Sequence, residues 1–461
     1  MSLGLYISIP FCRTKCSYCN FASDVFSKSA YENYVARLLE DIANSRQLAS
    51  ELGCAFGSAL GCTYDDTADS IYLGGGTPSI LDAAQLLRIF AAVRAHFAIA
   101  PDAEITVECA PGTLTPALIE TLLQCGVNRV SLGVQSFVDQ EARSVGRLHK
   151  RSTVLEEIGR LREADLANIN IDLIAGLPHQ TAESWAFSVS ETIATGVPHA
   201  SVYMLEVDED SRLGRELIAG GARYHAHFVP DDDATADFYQ QACQMLAAAG
   251  IAQYEISNFA RAASHSQNGE LQSNESRHNL KYWTRQPYLG FGVDAHSMLE
   301  LVWGRAPQPV RVGTAALGCP VERSSVAARD HANSGPAIAP DGIEAVRFAT
   351  PDSLDAYMNR APHTVTPVSA QAAMEESFFL GLRLNRGIDL QRLRADFSPM
   401  FSQDAVATWE SAIQQCVHEG LLEQQGATVR LTGRGRLLSN EVFARFLAEE
   451  TKGGTGHVNP R

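Results

Sequence analysis

Six short strand-like segments alternate with helical stretches through the first half of the chain. They fall at 4–9 (GLYISI), 70–73, 104–108 (EITVE), 129–134 (RVSLGV), 168–173 (NINIDL) and 200–206 (ASVYMLE). Helical periodicity fills gaps between them, over 29–52, 82–97 and 115–125. Strands separated by helices run parallel, because each return crossing uses a helix's length of chain. Six units are too few for an eight-fold ring, so the expected fold is α/β, an incomplete (βα)6 barrel. Each segment runs into a polar or glycine-rich motif: CRTKCSYC, GGGTPS, CAPGTLT, QSF and IAGLP. In parallel barrels the loops after the strands converge on one functional face.

The remaining chain reads differently. Residues 53–68 are rich in Gly and Ala and look like an insertion. The expected divisions are a barrel over 1–215, a barrel-completing region over 216–300 with an HNxxYW motif, and a variable loop or insertion over 301–366. A C-terminal α+β region at 367–450 follows, with helices around a hairpin at ATVRLTGRG, and 451–461 is expected as a tail. Helices plus a two-stranded wing suggest a winged-helix-like module. Its mixed charges and lack of an aromatic–basic ladder favour packing over DNA binding.

Composition narrows the function classes. Of 461 residues, 45% are hydrophobic and 20% charged, which is ordinary globular usage. Lys and Arg number 37 against 53 Asp and Glu, giving a net charge of −16. That argues against coating nucleic acid. No apolar run reaches the length that spans a bilayer, and MSLGLYISIPFC lacks the pattern of a secretory signal. The expected location is the cytoplasm.

Ten cysteines are present, and three crowd together as Cys12, Cys16 and Cys19, spaced C-x3-C-x2-C. A zinc site would call for a fourth ligand nearby, yet no second pair appears and the next histidine is His96. Three thiolates instead suit three irons of a cubane cluster and leave the fourth iron open.

IPFCRTKCSYCNF and YLGGGTPSIL resemble the radical S-adenosylmethionine (SAM) superfamily. ECAPGTLT, RVSLGVQSF, VGRLHKR, NIDLIAGLP, YEISNFAR and HNLKYW narrow the resemblance to the HemW family of haem chaperones. These are relatives of the HemN-type oxygen-independent coproporphyrinogen III oxidases. The resemblance implies a [4Fe–4S] cluster on Cys12, Cys16 and Cys19, with SAM chelated at the open iron. Reduction of that assembly would cleave a C–S bond of SAM. It also implies that Tyr6, Gly75, Gly76, Thr77, Glu108, Gln135, Arg147 and Asp172 contact SAM. Gly75 and Gly76 would allow close backbone approach, and Arg147 offers a planar fork for a carboxylate. His278 of HNLKYW would ligate haem iron, with Tyr282 and Trp283 against the porphyrin. His149 and His296 are weaker candidates.

Two departures separate the chain from the oxidases. Their fourth cysteine is replaced by Phe21, and only eleven residues precede Cys12. The resemblance therefore implies a haem chaperone that transfers haem to client haemoproteins, with the porphyrin-forming oxidase as the alternative. It further implies a homodimer, a flavodoxin-like electron donor, and transient contact with membrane-associated clients.

Overall fold

The strands of the barrel separate their residues by polarity. In β1 (Leu3–Ile9), Leu3, Leu5, Ile7 and Ile9 are fully buried in the apolar core, while Gly4, Tyr6 and Ser8 point to the other face. This alternation repeats in β2 (Thr67–Gly75), β3 (Ala98–Cys109), β4 (Arg129–Gln135), β5 (Ile169–Ala175) and β6 (His199–Met204). Strand register aligns Gly4 with Ser70, Tyr6 with Tyr72, Thr106 with Arg129, Ser131 with Asn170, and Asp172 with Ser201. The interior face is thus polar and the exterior apolar. Burying the exterior rows against the surrounding helices supplies the main stabilisation.

These helices are α1 (Lys28–Glu51), α2 (Ala83–His96), α3 (Pro116–Gln124), α4 (Asp139–Ser144), α5 (Arg151–Glu163) and α6 (Ala182–Ala194). α1 turns Tyr34, Val35, Leu38 and Ile42 inward, a helical stripe. α2 starts on a capping box in which Asp82 and Gln85 satisfy each other's backbone N–H. α3 starts with Pro116 in the first turn and the Thr115 side chain as its cap. The computed structural model describes residues 2–54, 67–262, 264–265, 271–301, 343–397 and 403–447.

After the sixth strand come α7 (Arg212–Ala219), α8 (Asp232–Ala248), a short antiparallel pair β7 (Ile251–Gln253) and β8 (Asn258–Arg261), then the two-residue strands β9 (Ser264–His265) and β10 (Leu271–Gln272). α9 (Arg277–Trp283), β11 (Tyr288–Phe291) and β12 (His296–Glu300) follow. The large sheet continues with β13 (Ile343–Ala349), α10 (Leu354–Met358) and β14 (Thr364–Ser369). Its strand order is β14-β13-β12-β11-β1-β2-β3-β4-β5-β6-β8-β7. β11 lies parallel to β1, so the parallel set has seven strands rather than the six expected. β11 was missed because it is only four residues long and follows the short helix α9 rather than one of the six regular βα units. The sheet stays open, since β6 is flanked by antiparallel β8.

Two further expectations are corrected. The stretch 301–366, expected as a variable loop or insertion, contains β13, α10 and the start of β14, each strand pairing antiparallel with its neighbour. The remainder, 302–342, lies outside the described residues, as does most of the 53–68 insertion. The expected hairpin ATVRLTGRG is displaced: β16 (Leu422–Gln425) pairs with β17 (Thr428–Leu431) around Gly426, and Gly433–Leu437 is helical. β15 (Ile388–Asp389) adds a third strand on the far side of β17.

α11 (Ala370–Leu382), α12 (Leu390–Phe397), α13 (Gln403–His418), α14 (Gly433–Leu437) and α15 (Ser439–Ala444) complete the C-terminal α+β region. Its apolar cluster includes Ile256, Ala345 and Val368, so it is continuous with the barrel's edge. The five-donor fork of Arg285 and the guanidinium of Arg347 both reach Glu376 on α11, at 2.9 and 2.6 Å. Arg383 sits 4.2 Å above the Trp283 ring.

α9 crosses the amino end of the barrel. The Arg277 and His278 N–H groups donate to Glu104 in the middle of β3. Lys281 pairs with Asp69 at 2.7 Å and donates to the Ser2 carbonyl at 3.0 Å. Ser276 N–H donates to the Tyr254 hydroxyl, beside β7. A helix about 10 Å long thus touches both halves of the curved sheet. The Lys281 side chain is 3% exposed, so Lys281→Ala should lower unfolding free energy by about 2–3 kcal/mol, reduced from the fully buried range because Asp69 keeps some solvent contact. Urea titration of the apoprotein measures it.

Candidate functional site

The cysteine loop begins where β1 ends. Phe11, stacked on Tyr31 at 4.1 Å, anchors its first turn. Cys12 N–H donates to the Asp24 carbonyl and Asp24 N–H to the Pro10 carbonyl, closing the loop's base. Lys15 Nζ donates to the Phe21 carbonyl at 2.7 Å, so it ties the loop together rather than facing free solvent. Thr77 Oγ1 donates toward Cys12 Sγ at 3.7 Å, and Arg147 toward Cys16 Sγ at 3.6 Å. Cys19 Sγ and Ser23 Oγ are 4.0 Å apart. Burial raises the Cys12 and Cys19 thiols above the ordinary value, and the Lys15 charge works against that at Cys19.

The glycines after β2 serve the backbone. A Cβ on Gly76 would stand 2.6 Å from the Ile9 carbonyl and 2.8 Å from that of Phe11. A Cβ on Gly75, where φ is +93°, would meet Ser8 Oγ at 2.8 Å and the Tyr6 hydroxyl at 3.2 Å. The triplet is expected to admit a ligand; here Gly76 first of all admits the β1 extension that carries the cysteines.

The interior face below the loop gathers several of the other expected residues. Tyr72 donates to Glu108 at 2.8 Å. Burial pushes the Glu108 carboxyl up to about 7, helped by nearby Asp172 and opposed by the Tyr72 hydrogen bond and the Arg129 charge. Asp172 accepts from Ser131 at 3.1 Å and Asn170 at 2.6 Å, and burial raises it too. Gln135 sits at φ 68° just past a register shift between β4 and β5. Such an irregularity re-aims a side chain at a strand's end. Arg147 reaches in from the loop after α4: one nitrogen donates to the Gly133 carbonyl, the other toward Cys16. Tyr6, Gly75, Gly76, Thr77, Glu108, Gln135, Arg147 and Asp172 thus lie along the interior and carboxyl rim, where Thr77 and Arg147 reach the Cys12 and Cys16 sulfurs.

His278 meets the same interior from its amino end: it is 1% exposed, its ring stacks on Tyr72 at 5.4 Å and stands 6.4 Å from that of Tyr6, and it is held between Ser70 (3.1 Å from Nδ1) and the Tyr282 hydroxyl (2.8 Å from Nε2). Burial, Lys281 and Arg129 push its pKa down to about 3, so the ring is neutral. Both nitrogens are engaged, which leaves no lone pair for iron and disagrees with the expected axial role. Tyr282 packs edge-on against Tyr288 at 4.7 Å, and Trp283 holds Arg383. The motif therefore joins the barrel to the C-terminal region. His149 is also buried and held neutral, its pKa down to about 4, beside the Val134 carbonyl. His296 is exposed, near Asp294 at 3.7 Å.

Sequence reasoning missed Ser23, Tyr72 and Arg129. Arg129 is 2% exposed and belongs to the interior row. The signal was the strict alternation of RVSLGV, which places Arg129, Ser131 and Gly133 on one face.

Residues 6–189 match the Radical SAM superfamily, and 368–438 the HemN C-terminal domain. The chain is 30% identical over 445 residues to the heme chaperone HemW of Bacillus subtilis (strain 168), covering 96% of this chain and 99% of that one. The chain belongs to the HemW family. Identity to HemW of Escherichia coli (strain K12) is 33% over 304 residues, 66% of this chain and 72% of that one. The coproporphyrinogen III oxidase HemN of Escherichia coli has the same fold, with a TM-score of 0.71, 20% identity, and coverage of 96% and 90%.

Membership of the Radical SAM superfamily assigns the chain a [4Fe–4S] cluster and SAM. The donor set fits such a cluster. Among the described residues, no three Cys, His or carboxylate groups converge as they would on a single ion. A cubane takes each thiolate on a different iron, so separated thiols on one loop suit it. Gly76→Ala should weaken this arrangement by about 1–3 kcal/mol, because the backbone of Phe11 must shift. Iron and sulfide analysis after anaerobic reconstitution should show reduced loading, while Gly426→Ala, in the distant hairpin turn, should load normally.

Proposed function

We propose that this protein is a haem chaperone, holding haem and passing it to client haemoproteins, with the iron–sulfur and SAM site governing that transfer. The curated relatives named HemW, aligned over nearly the whole chain, are the observation that carries this reading. Phe21 in place of the oxidases' fourth cysteine supports it.

Cys12, Cys16 and Cys19 would hold the cluster. When bound, it supplies a low-potential electron and an open iron for SAM. The protein's own part is positional. Lys15 and the Asp24 backbone shape the loop, and Thr77 sets Cys12. Arg147 places positive charge against Cys16. Glu108 and Asp172 present carboxyls from the interior toward a cationic, hydroxyl-bearing ligand, with Tyr6 beside Gly75 and Gln135 at the rim completing the contact set. By family resemblance Gly75, Gly76 and Thr77 would meet the amino end of SAM.

The reading extends to a cytoplasmic homodimer that accepts electrons from a flavodoxin-like donor and touches membrane-associated clients. Family resemblance supports those features. No described helix is long and apolar enough to cross a membrane.

Glu108 gives a pH test. Its carboxyl is raised to about 7, so it is largely protonated at pH 6 and ionised at pH 8. A cationic ligand favours the ionised form. SAM affinity, measured by calorimetry on cluster-loaded protein, should rise several-fold from pH 6 to 8, and Glu108→Gln should flatten the profile.

The functional test is anaerobic. Full-length protein should bind haem stoichiometrically and restore an apo-haemoprotein client in a cluster-dependent way, with Cys12→Ser losing both the brown absorbance and the dependence. Formation of protoporphyrinogen from coproporphyrinogen III with SAM and dithionite would overturn the reading.

A further inference from the structure

The buried position of His278 leaves the haem ligand to be found elsewhere, and the carboxyl rim offers one. His179 follows β5 by four residues. It meets a segment between α7 and α8 that reads Tyr224-His225-Ala226-His227-Phe228. His179 N–H donates to the Phe228 carbonyl at 2.9 Å, tying the two segments together. The His179 ring stacks on Phe228 with centroids 4.2 Å apart. His179 Nε2 and His225 Nδ1 stand 3.3 Å apart.

Both histidines adopt the left-handed backbone region, with φ 70° and 63°. Non-glycine residues held there concentrate at functional sites. The 3.3 Å approach lets His225 Nδ1–H donate to His179 Nε2, an arrangement that would leave the His225 Nε2 lone pair free. Histidine ligands of metals are commonly oriented in this way, through a hydrogen bond on the other nitrogen. Among the described residues, His225 Nε2 has no hydrogen-bond partner.

The surroundings suit a porphyrin. Phe228 is 53% exposed, and α7 leaves Leu217 and Ile218 exposed. Glu216 on α7 accepts from the Tyr224 and Ala226 N–H groups, which holds the histidine segment against that helix. The exposed Arg223 guanidinium lies over the Tyr224 ring at 5.4 Å, an anion-seeking group at the edge. The face adjoins the cysteine loop: Leu213 N–H donates to the Ser17 carbonyl at 2.8 Å, and Arg212 to that of Lys15 at 3.3 Å.

We propose that haem docks on this face at the carboxyl rim, with His225 Nε2 as an axial ligand to the iron, Phe228 against the porphyrin and Arg223 toward the propionates. The site rests on the haem-chaperone reading and places haem beside the cysteine loop, where cluster or SAM binding can influence it directly.

The test is titration of the full-length protein with hemin, followed by the Soret band. Wild type should show a coordinated spectrum at one equivalent. His225→Ala should bind at least tenfold more weakly with a shifted band, and added imidazole should restore the spectrum. Phe228→Ala should weaken binding while keeping the coordinated spectrum, and His227→Ala should leave both unchanged. Circular dichroism melts confirm that the variants are folded. Wild-type affinity and spectrum in His225→Ala, or loss in His227→Ala alone, would overturn the site and leave the chaperone reading standing. Absence of hemin binding by the wild type would overturn both.

Discussion

The contact between the end of β1 and the end of β2 is the constraint on which the functional face depends. At Gly76 the β1 extension passes so near that only hydrogen fits on the Cα. That approach fixes where Phe11 leaves the sheet, and so where Cys12 begins its loop. Thr77, next in sequence, then falls within reach of the Cys12 sulfur. A side chain at Gly76 would displace the carrier of the metal ligands as well as crowd a ligand. The interior carboxyls Glu108 and Asp172 sit below this junction, held by Tyr72, Ser131 and Asn170.

The barrel inverts the usual distribution of polarity. Its exterior rows are apolar because helices cover them, and its interior row is hydroxyl, amide and charge. Such an interior is costly unless its groups find partners. Most do: Asn170 serves Ser131, Asp172 and His199, while Ser201 serves Asn258. At the amino end α9 supplies the rest, using the HNLKYW motif as a plug. His278 fills hydrogen-bonding needs of Ser70 and Tyr282 instead of facing a ligand. The motif's chemistry suits a haem ligand on paper because imidazole binds iron and phenol and indole can cover a porphyrin; its position makes it mortar between barrel and C-terminal region.

The two ends therefore have different work. The amino end is closed by paired groups such as Lys281 with Asp69. The carboxyl end keeps strained residues and exposed aromatics: Gln135, His179 and His225 in the left-handed region, and Phe228 and Phe21 open to solvent. In a βα barrel this is where loops from several strands meet, and it is the end at which changes of chemistry can be made without disturbing the packed helices.

The sequence by itself determined the thiol triad, the parallel βα frame and the family, because these are written in local spacing: three cysteines in eight residues, alternation along a strand, motifs that follow strand ends. It singled out Tyr6, Glu108 and Asp172 at strand positions, yet could not say that Tyr72 and Arg129 stand beside them, since those contacts join strands tens of residues apart. Tertiary structure alone decided that β11 enters the parallel set beside β1, that 343–369 joins the large sheet rather than a loop, and that His278 turns inward. It alone brought His179 and His225 together across 46 residues. Local periodicity fixes which face of an element a residue occupies; which partner meets that face is set by long-range packing that no single segment encodes.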